Sequence, residues 1–205
     1  NNIRVVAPDV GGGFGAKLQI NREAVLCLVL SQKPGRPVKW TADRSEAFLT
    51  DTHGRDQVSE VTLALDAEKK FTALKVDTIG NLGAWCGTMG PFTPTGGTAR
   101  TQGGPYSIPA MNYTARAVFT NTSQTDPYRG AGRPEASFHI ERIVEYAARQ
   151  LGVDPMQLRR NNLIPVAALP YKTPMGLSID SGDFPAVFER ALVLGDYENF
   201  PARAA

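Results

Sequence analysis

Two stretches of alternating residues, 58–65 and 71–79, constrain the fold of this chain more than any other feature of its sequence. Apolar side chains recur at every second position over much of each stretch, which is typical of a β-strand with one buried face. The polar loop 66–70 separates the two stretches. Two such runs joined by a short loop predict a β-hairpin near 58–79.

A helical pattern occupies residues 134–151, further along the chain. Pro134 suits the first turn of a helix, and Gly152 suits the position just after its end. The apolar residues at approximate helical spacing between them are Phe138, Ile143, Val144 and Ala147. This pattern predicts the main amphipathic helix of the chain.

Shorter patterns predict the remaining elements. They are strands at 3–7, 38–41 and 113–120, a well-buried helix at 21–32 ended by Pro34-Gly35, and short helices at 43–48, 155–161 and 185–194. The glycine-rich stretch 80–104 has too few apolar residues for a core element, so we predict a long surface loop there. Because strands and helices mix without regular β-α alternation, the predicted fold class is α+β. One unit, 1–205, is expected, with two subdomains at about 1–120 and 121–205 as the alternative.

Charge and composition exclude several classes of function. The 205 residues include 22 Lys and Arg against 20 Asp and Glu, a net charge of +2, so nothing points to nucleic acid or an anionic membrane. No stretch reaches the roughly 18 consecutive apolar residues that a membrane helix needs. Two cysteines and two histidines, Cys27, Cys86, His53 and His139, are too scattered for a typical structural zinc site. Cys27 lies in an apolar run and is predicted to be a core residue.

The loop Gly11–Lys17 is rich in glycine around Phe14. Its first six residues match the G-x-G-x-x-A form of a dinucleotide-binding fingerprint, but no carboxylate follows about 20 positions on, which disfavours that site. A phosphate-binding P-loop needs Ser or Thr after the lysine, where this chain has Leu18. Two other interpretations are a tight turn that requires positive φ and bare backbone that approaches a bulky polar ligand. A large side chain among glycines favours the second, with Phe14 placed in a cavity.

A second loop, Tyr128–Gly132, has the same character and leads into the helix predicted at 134–151. Arg129 and Arg133 flank bare backbone, which suggests an anion held at a helix entrance. Glu135 lies in the first helical turn, where its charge complements the helix dipole. The alternative is a pair of surface arginines beside a helix cap. Two such loops in one chain favour the ligand-binding interpretation.

Together these motifs resemble the molybdenum-binding large subunit of the xanthine dehydrogenase, aldehyde oxidase and carbon monoxide dehydrogenase family. Gly11–Lys17 resembles the family's glycine-phenylalanine loop, and Tyr128–Glu135 resembles its second molybdenum-proximal loop. The segments 154–165 and 171–176 also resemble the family. The similarity covers nearly the whole chain, with the motifs in order.

The resemblance implies molybdenum held by a molybdopterin, in the cytosine dinucleotide form that is usual in bacterial members. Such enzymes hydroxylate a carbon or oxidise an aldehyde with oxygen from water. Their electrons pass to iron–sulfur clusters and FAD on other subunits or domains. By this resemblance Phe14 and Arg129 lie nearest the metal, as proximal contacts and not as covalent ligands. The implied cofactor-binding residues are Gly12, Gly13, Phe14, Gly15, Arg129, Gly130 and Ala131.

Departures from the family narrow the substrate. Leu18 stands where purine hydroxylases carry a glutamate, and Ala131 stands where they carry an aromatic residue that stacks on the substrate. The second loop also has no cysteine to bind the copper of carbon monoxide dehydrogenases. The predicted substrate is therefore an aldehyde or an N-heterocycle. The family's catalytic glutamate belongs to a C-terminal segment that this chain lacks, so no catalytic residue is predicted here. Glu135 and Glu141 are predicted to be helix-surface glutamates.

The chain is therefore expected to be an internal fragment of a larger subunit and to be inactive by itself. Its expected partners are the remainder of the large subunit, iron–sulfur and flavin subunits, and a small-molecule substrate, with a homodimer through the exposed face as a further expectation. The expected compartment is the cytoplasm, with the periplasm as the alternative for the full complex. The rival hypothesis is a non-catalytic, stand-alone α+β binding or assembly module whose glycine loops serve only as turns.

Overall fold

A computed structural model describes residues 4–33 and 35–204 of the chain. The helices are α1 (Arg22–Gln32), α2 (Arg44–Thr50), α3 (Arg133–Leu151), α4 (Pro155–Asn162), α5 (Phe184–Leu194) and α6 (Phe200–Ala204). The strands are β1 (Gln57–Leu65), β2 (Phe71–Gly83), β3 (Ala110–Phe119), β4 (Tyr171–Lys172) and β5 (Ser178–Ile179). This mixture confirms the predicted α+β class. Within these ranges, no helix combines the length and the apolar character that a bilayer crossing demands.

The central feature of the fold is a three-stranded sheet with β2 in the middle. β1 is antiparallel to β2, with Val61 opposite Val76, and β3 lies parallel to β2 on its other side. The turn between β1 and β2 is closed by the Asp66 carboxylate, which accepts a hydrogen bond from the Lys70 N–H at 2.7 Å. The hairpin predicted near 58–79 is confirmed.

α3 covers one face of this sheet and carries the centre of the core. Side chains of the helix and of β2 that belong to the buried cluster are Leu74, Val76, Ile140 and Val144. Each contributes roughly 1.5–3 kcal/mol relative to an exposed side chain. α3 runs from Arg133 to Leu151, which confirms the main helix predicted at 134–151.

α4 connects α3 back to the hairpin through a buried amide. The Asn162 side chain is 3% exposed. Its oxygen accepts from the Phe71 N–H at 2.8 Å, and its nitrogen donates to the Lys69 carbonyl at 3.0 Å. At the other end of the helix, Asp154 caps α4 by accepting from two backbone N–H groups. The short helix predicted at 155–161 is therefore confirmed.

The glycine-rich connection between β2 and β3 is not a surface loop, so that prediction for 80–104 was wrong. It contains a π-helical turn, Thr93–Gly97, and several of its side chains are buried, among them Thr98 at 0% and Gln102 at 2% exposure. Small residues allow this, because a Cβ on Gly97 would lie 2.6 Å from the Ala131 carbonyl oxygen. The segment 80–104 therefore has few apolar residues because its backbone packs closely against its neighbours, and not because it is exposed to solvent.

The N-terminal part departs from the prediction in another way. α1 forms as predicted, but none of its residues is buried, and Cys27 is only half-buried. Its apolar side chains point in several directions, so covering them requires partners on more than one side. Neither Arg4–Ala7 nor the predicted strand at 38–41 adopts regular structure. Ile3 and Pro34, which entered these predictions, lie outside the described residues.

Candidate functional site

The first glycine-rich loop is a tight turn built on left-handed backbone. Gly12, Phe14 and Gly15 have φ of +120°, +53° and +91°. The turn is closed by the Lys17 N–H, which donates to the Gly13 carbonyl at 3.1 Å. The Phe14 ring is 52% exposed at the surface of the turn. α1 begins only at Arg22, so the amides at its start do not belong to this loop.

The second loop has the same backbone geometry. Gly130, Ala131 and Gly132 have φ of +96°, +44° and +98°. The Ala131 N–H donates to the Tyr128 carbonyl at 2.8 Å. Gly132 is the residue that precedes α3, so the loop is fixed directly to the main helix. Non-glycine residues with positive φ, such as Ala131, are uncommon and cluster at functional sites.

The structure brings the two loops into direct contact. The Arg129 N–H donates to the Phe14 carbonyl oxygen at 2.8 Å. A Cβ on Gly15 would lie 2.7 Å from the Pro127 carbonyl oxygen, so only glycine allows this approach. All seven cofactor-binding residues predicted from the sequence therefore lie on two adjoining turns.

The backbone of these turns offers free donors. No backbone carbonyl among the described residues accepts a hydrogen bond from the amides of Gly13, Phe14, Gly15 or Gly130. Clustered amides on left-handed turns form concave sites that favour anionic oxygens. Bare backbone with available N–H groups fits an oxygen-rich, anionic cofactor better than it fits a cation.

Two cavities flank the loops. One, of about 640 Å³, lies between β1 and the first turns of α3 and is lined by Arg55, Glu135 and His139, among others. The other, of about 360 Å³, is lined by Ala16 and Tyr128 together with α2. Arg55 lines both cavities, whereas neither Phe14 nor Arg129 lines either of them. The surface shared by the two turns thus lies outside both cavities, each of which opens to solvent.

Glu135 is not a surface residue, so that part of the sequence prediction was wrong. It is 8% exposed, and neither carboxylate oxygen has a hydrogen-bond partner within the described chain. The nearest cation is the Arg55 guanidinium, with Nε 3.6 Å from Oε1. Glu135 is buried because it lies one helical turn before His139, on the face of α3 turned towards the sheet.

Glu141, in contrast, is engaged on the outer side of the core. Its carboxylate accepts from Arg159 Nε at 2.8 Å and from the Tyr106 hydroxyl at 2.8 Å. Desolvation and the nearby Glu141 charge raise the pKa of Tyr106, so its hydroxyl stays protonated and remains a donor. This arrangement gives Glu141 a structural role.

Metal-binding side chains are not gathered at the loops. Within residues 4–33 and 35–204, no group of three or more His, Cys, Asp or Glu side chains could hold a metal ion. Both cysteines are free thiols. The loops therefore offer backbone and hydrogen-bonding contacts to a ligand.

We expect His139 to make the stability of the protein depend on pH. Its ring is 6% exposed, Nδ1 lies 3.1 Å from Gln102 Nε2, and burial lowers the pKa of His139. The unfolded chain then binds a proton more readily than the folded one. The contribution of the neutral His139 ring to the free energy of unfolding is therefore fully present above about pH 6.5. It is lost as the pH falls through the pKa that His139 has in the folded protein.

Urea unfolding at about pH 7.5 and about pH 5.5 measures this loss. His139→Gln should reduce the difference between the two midpoints, whereas the control His53→Gln, at an exposed position, should not. An equal difference in both variants would contradict the assignment.

Sequence reasoning missed Arg55, which lies between the second loop and α3. A single arginine just before a predicted strand carries no signal of its own. Gly54 gave no signal either, although a Cβ there would lie 2.6 Å from the Tyr128 Cβ. The contacts of both residues form only in the folded chain, where the segment 53–56 lies beside Tyr128.

Known proteins are similar to this chain in sequence and in fold. The family model of the molybdopterin cofactor-binding domain matches residues 1–163. The gamma subunit of the 6-hydroxypseudooxynicotine dehydrogenase complex of Paenarthrobacter nicotinovorans is 35% identical, over 97% of this chain and 26% of its own length. The carbon monoxide dehydrogenase large chain of Hydrogenophaga pseudoflava is 34% identical, over 100% of this chain and 26% of its own length.

A solved structure agrees with these sequence matches. Quinoline 2-oxidoreductase from Pseudomonas putida 86 superposes with a TM-score of 0.89 at 33% identity, over 96% of this chain and 25% of that one. The chain thus spans about a quarter of the length of the relatives that it matches.

Proposed function

The chain belongs to the molybdopterin cofactor-binding domain family, and on this premise we propose that it forms one wall of the molybdenum site in a larger hydroxylase. The proposed cofactor-binding residues are Gly12, Gly13, Phe14, Gly15, Arg129, Gly130 and Ala131. Phe14 and Arg129 lie nearest the metal in this proposal, as contacts and not as ligands. The cofactor is a molybdopterin, in its cytosine dinucleotide form.

One observation carries the proposal: the hydrogen bond from the Arg129 N–H to the Phe14 carbonyl, at 2.8 Å. It fixes the two turns side by side, and in this proposal the free amides of Gly13 and Gly130 both face the cofactor. These amides can donate to the oxygens of an anionic group without the desolvation cost of a charged side chain. In this proposal the Phe14 ring, 52% exposed in this chain, packs against the bound cofactor.

When bound, the molybdenum centre supplies the transfer of water-derived oxygen to a substrate carbon and takes up the two electrons released. The part of this chain is to bind and orient the group by its backbone. The general base, the iron–sulfur clusters and the FAD belong, in this proposal, to other domains or subunits. The chain by itself is therefore proposed to be inactive.

The proposed substrate is an aldehyde or an N-heterocycle. By the resemblance, Leu18 and Ala131 stand at the two positions where purine hydroxylases carry a glutamate and a stacking aromatic residue, and the second loop contains no cysteine. The match to a quinoline oxidoreductase supports the N-heterocycle, since quinoline is one.

The exposed apolar side of the N-terminal part supports a docking role towards the remainder of a large subunit. The apolar residues of α1 that are about half exposed or more are Val25, Leu26, Leu28, Val29 and Leu30. Several large apolar side chains exposed on one short helix mark an interface. Iron–sulfur and flavin subunits complete the proposed complex, a second copy of the chain could also cover this face, and the cytoplasm is its proposed compartment.

The proposal is tested by molybdenum and pterin analysis of the assembled enzyme that contains this chain. In Gly13→Ala the new Cβ would meet only the Lys17 Cβ, at 3.9 Å, so the fold accepts it. We expect an unchanged unfolding midpoint, because surface changes without strain lie within about 0.5 kcal/mol. A cofactor seated against the loop would collide with the new methyl group, so molybdenum occupancy should fall about tenfold, which corresponds to about 1.4 kcal/mol of binding free energy.

Gly11→Ala is the matched control, because nothing lies within 4 Å of a Cβ at Gly11 and that residue is outside the proposed contact set. It should retain the molybdenum content of the parent enzyme. Full occupancy in Gly13→Ala, or an assembled parent enzyme without molybdenum, would show that the first loop does not hold the cofactor.

A further inference from the structure

Arg55 makes three contacts that converge on the second loop. Its Nη2 donates a hydrogen bond to the carbonyl oxygen of Arg129. Its guanidinium carbon lies 5.4 Å from the centre of the Tyr128 ring, within cation–π range. Its Nε lies 3.6 Å from Glu135 Oε1. One side chain therefore joins the start of the loop to the helix that follows it.

The backbone brings Arg55 to this position. The His53 N–H donates to the Gln124 carbonyl at 2.9 Å, and the His53 carbonyl accepts from the Asp126 N–H at 2.9 Å. Gly54 then passes against the Tyr128 side chain. Arg55 itself has a φ of +57°, an uncommon conformation for a residue with a side chain. This strain is retained where surrounding structure over-determines it.

Glu135 explains why an arginine is required. Its carboxylate is 8% exposed, with no hydrogen-bond partner within the described chain, and a buried charge without a cation is costly. Arg55 is the cation that forms an ion pair with it. A guanidinium has donors on several sides and a flat face, so it can serve Glu135, Arg129 and Tyr128 at once.

We propose that Arg55 is a positioning residue, which, oriented by Glu135, clamps the second loop so that the backbone at Arg129 and Gly130 keeps its place. Its consequence for the cofactor rests on the proposed function above. The clamp itself does not, because all three of its contacts lie within this chain. Arg129 is held from both sides, its carbonyl by Arg55 and its N–H by Phe14.

Amide hydrogen exchange on the assembled enzyme, with and without cofactor, tests the clamp. Arg55→Ala should speed exchange of the Arg129, Ala131 and Arg133 amides by about tenfold or more, because local opening of the loop becomes easier. Arg55→Lys keeps a charge near Glu135 and should show a smaller increase in the same peptides. Arg149→Ala is the control, because that side chain is 69% exposed and its one ion pair among the described residues is with Glu145 on the surface of α3.

The Arg55→Lys variant keeps the test decisive if Arg55→Ala does not fold. Exchange over 127–133 that matches the parent and the control, in a folded Arg55→Lys or Arg55→Ala protein, would overturn the clamp. Because the exchange is also read without cofactor, its outcome is independent of whether the chain binds molybdenum.

A second readout links the clamp to the cofactor. In Arg55→Lys with full molybdenum content, the Mo(V) electron paramagnetic resonance signal should change and kcat should fall about tenfold with little change in KM. Altered exchange with an unaltered signal and unaltered kcat would overturn the positioning role. Absence of molybdenum from the parent enzyme would instead reject the proposed function. The hydrogen-exchange result would then still decide whether Arg55 holds the second loop in place.

Discussion

Gly132→Ala is expected to destabilise the protein by about 3 kcal/mol or more, the sum of backbone strain and overpacking. Gly132 has a φ of +98°, which a residue with a Cβ rarely adopts. A Cβ there would also lie 2.5 Å from backbone atoms of Gly97 and Thr98, and those atoms belong to a buried turn that cannot rotate away. Urea unfolding of the variant and the parent measures the loss.

Gly152→Ala is the matched control for Gly132→Ala. It also places a Cβ on left-handed backbone at an end of α3, with a φ of +63°, but nothing lies within 4 Å of that Cβ. It should cost about 1 kcal/mol, which is the strain alone. Equal losses of unfolding free energy in the two variants would contradict the close packing of Gly132 against the backbone of Gly97 and Thr98.

Gly15→Ala is expected to lower the molybdenum content of the assembled enzyme by about tenfold or more, which corresponds to at least about 1.4 kcal/mol of binding free energy. The new Cβ would lie 2.7 Å from the Pro127 carbonyl oxygen and 3.3 Å from the Tyr128 Cα. Both are backbone atoms, so the first loop must move away from the second. The hydrogen bond from the Arg129 N–H to the Phe14 carbonyl would then be lost.

Gly176→Ala controls for backbone strain in this experiment. Its φ of +81° is close to the +91° of Gly15, yet nothing lies within 4 Å of its Cβ and it is remote in sequence from both loops. Molybdenum content in Gly176→Ala should match the parent. A similar fall in both variants would attribute the effect to general loss of stability and not to separation of the loops.

Local sequence patterns predicted the helices and strands named below, because each of them depends on residues that are close together in the sequence. The alternation over 58–79 reflects one buried strand face, and the hairpin follows from a short polar turn between the strands. The helix predicted at 134–151 is bounded by Pro134 and Gly152, whose backbone preferences act within one turn. The short helix predicted at 43–48 is observed as α2, with Asp43 capping its start by accepting from the Glu46 N–H.

Burial was predicted poorly because it depends on what packs against an element. The stretch 80–104 has few apolar side chains, yet its small residues allow buried backbone contact, as between Gly97 and Ala131. α1 is apolar, yet none of its residues is buried. Glu135 is a residue type typical of a surface position, yet it is only 8% exposed.

The site was predictable in part. Glycine content marked both loops, and Phe14 marked the first of them. The contact between the loops is long-range, because Phe14 and Arg129 are separated by more than half of the chain. The resemblance to molybdenum hydroxylases supplied the pairing that composition could not. Arg55 was missed because its significance comes from contacts with Arg129 and Glu135, which no local pattern records.

We propose that one cofactor sits against both loops. A molybdenum-edge anomalous difference map from crystals of the assembled enzyme would locate the metal. We expect a single peak beside the two turns, with Phe14 and Arg129 among the protein residues nearest to it. A peak remote from either turn, in a crystal that contains molybdenum, would contradict it.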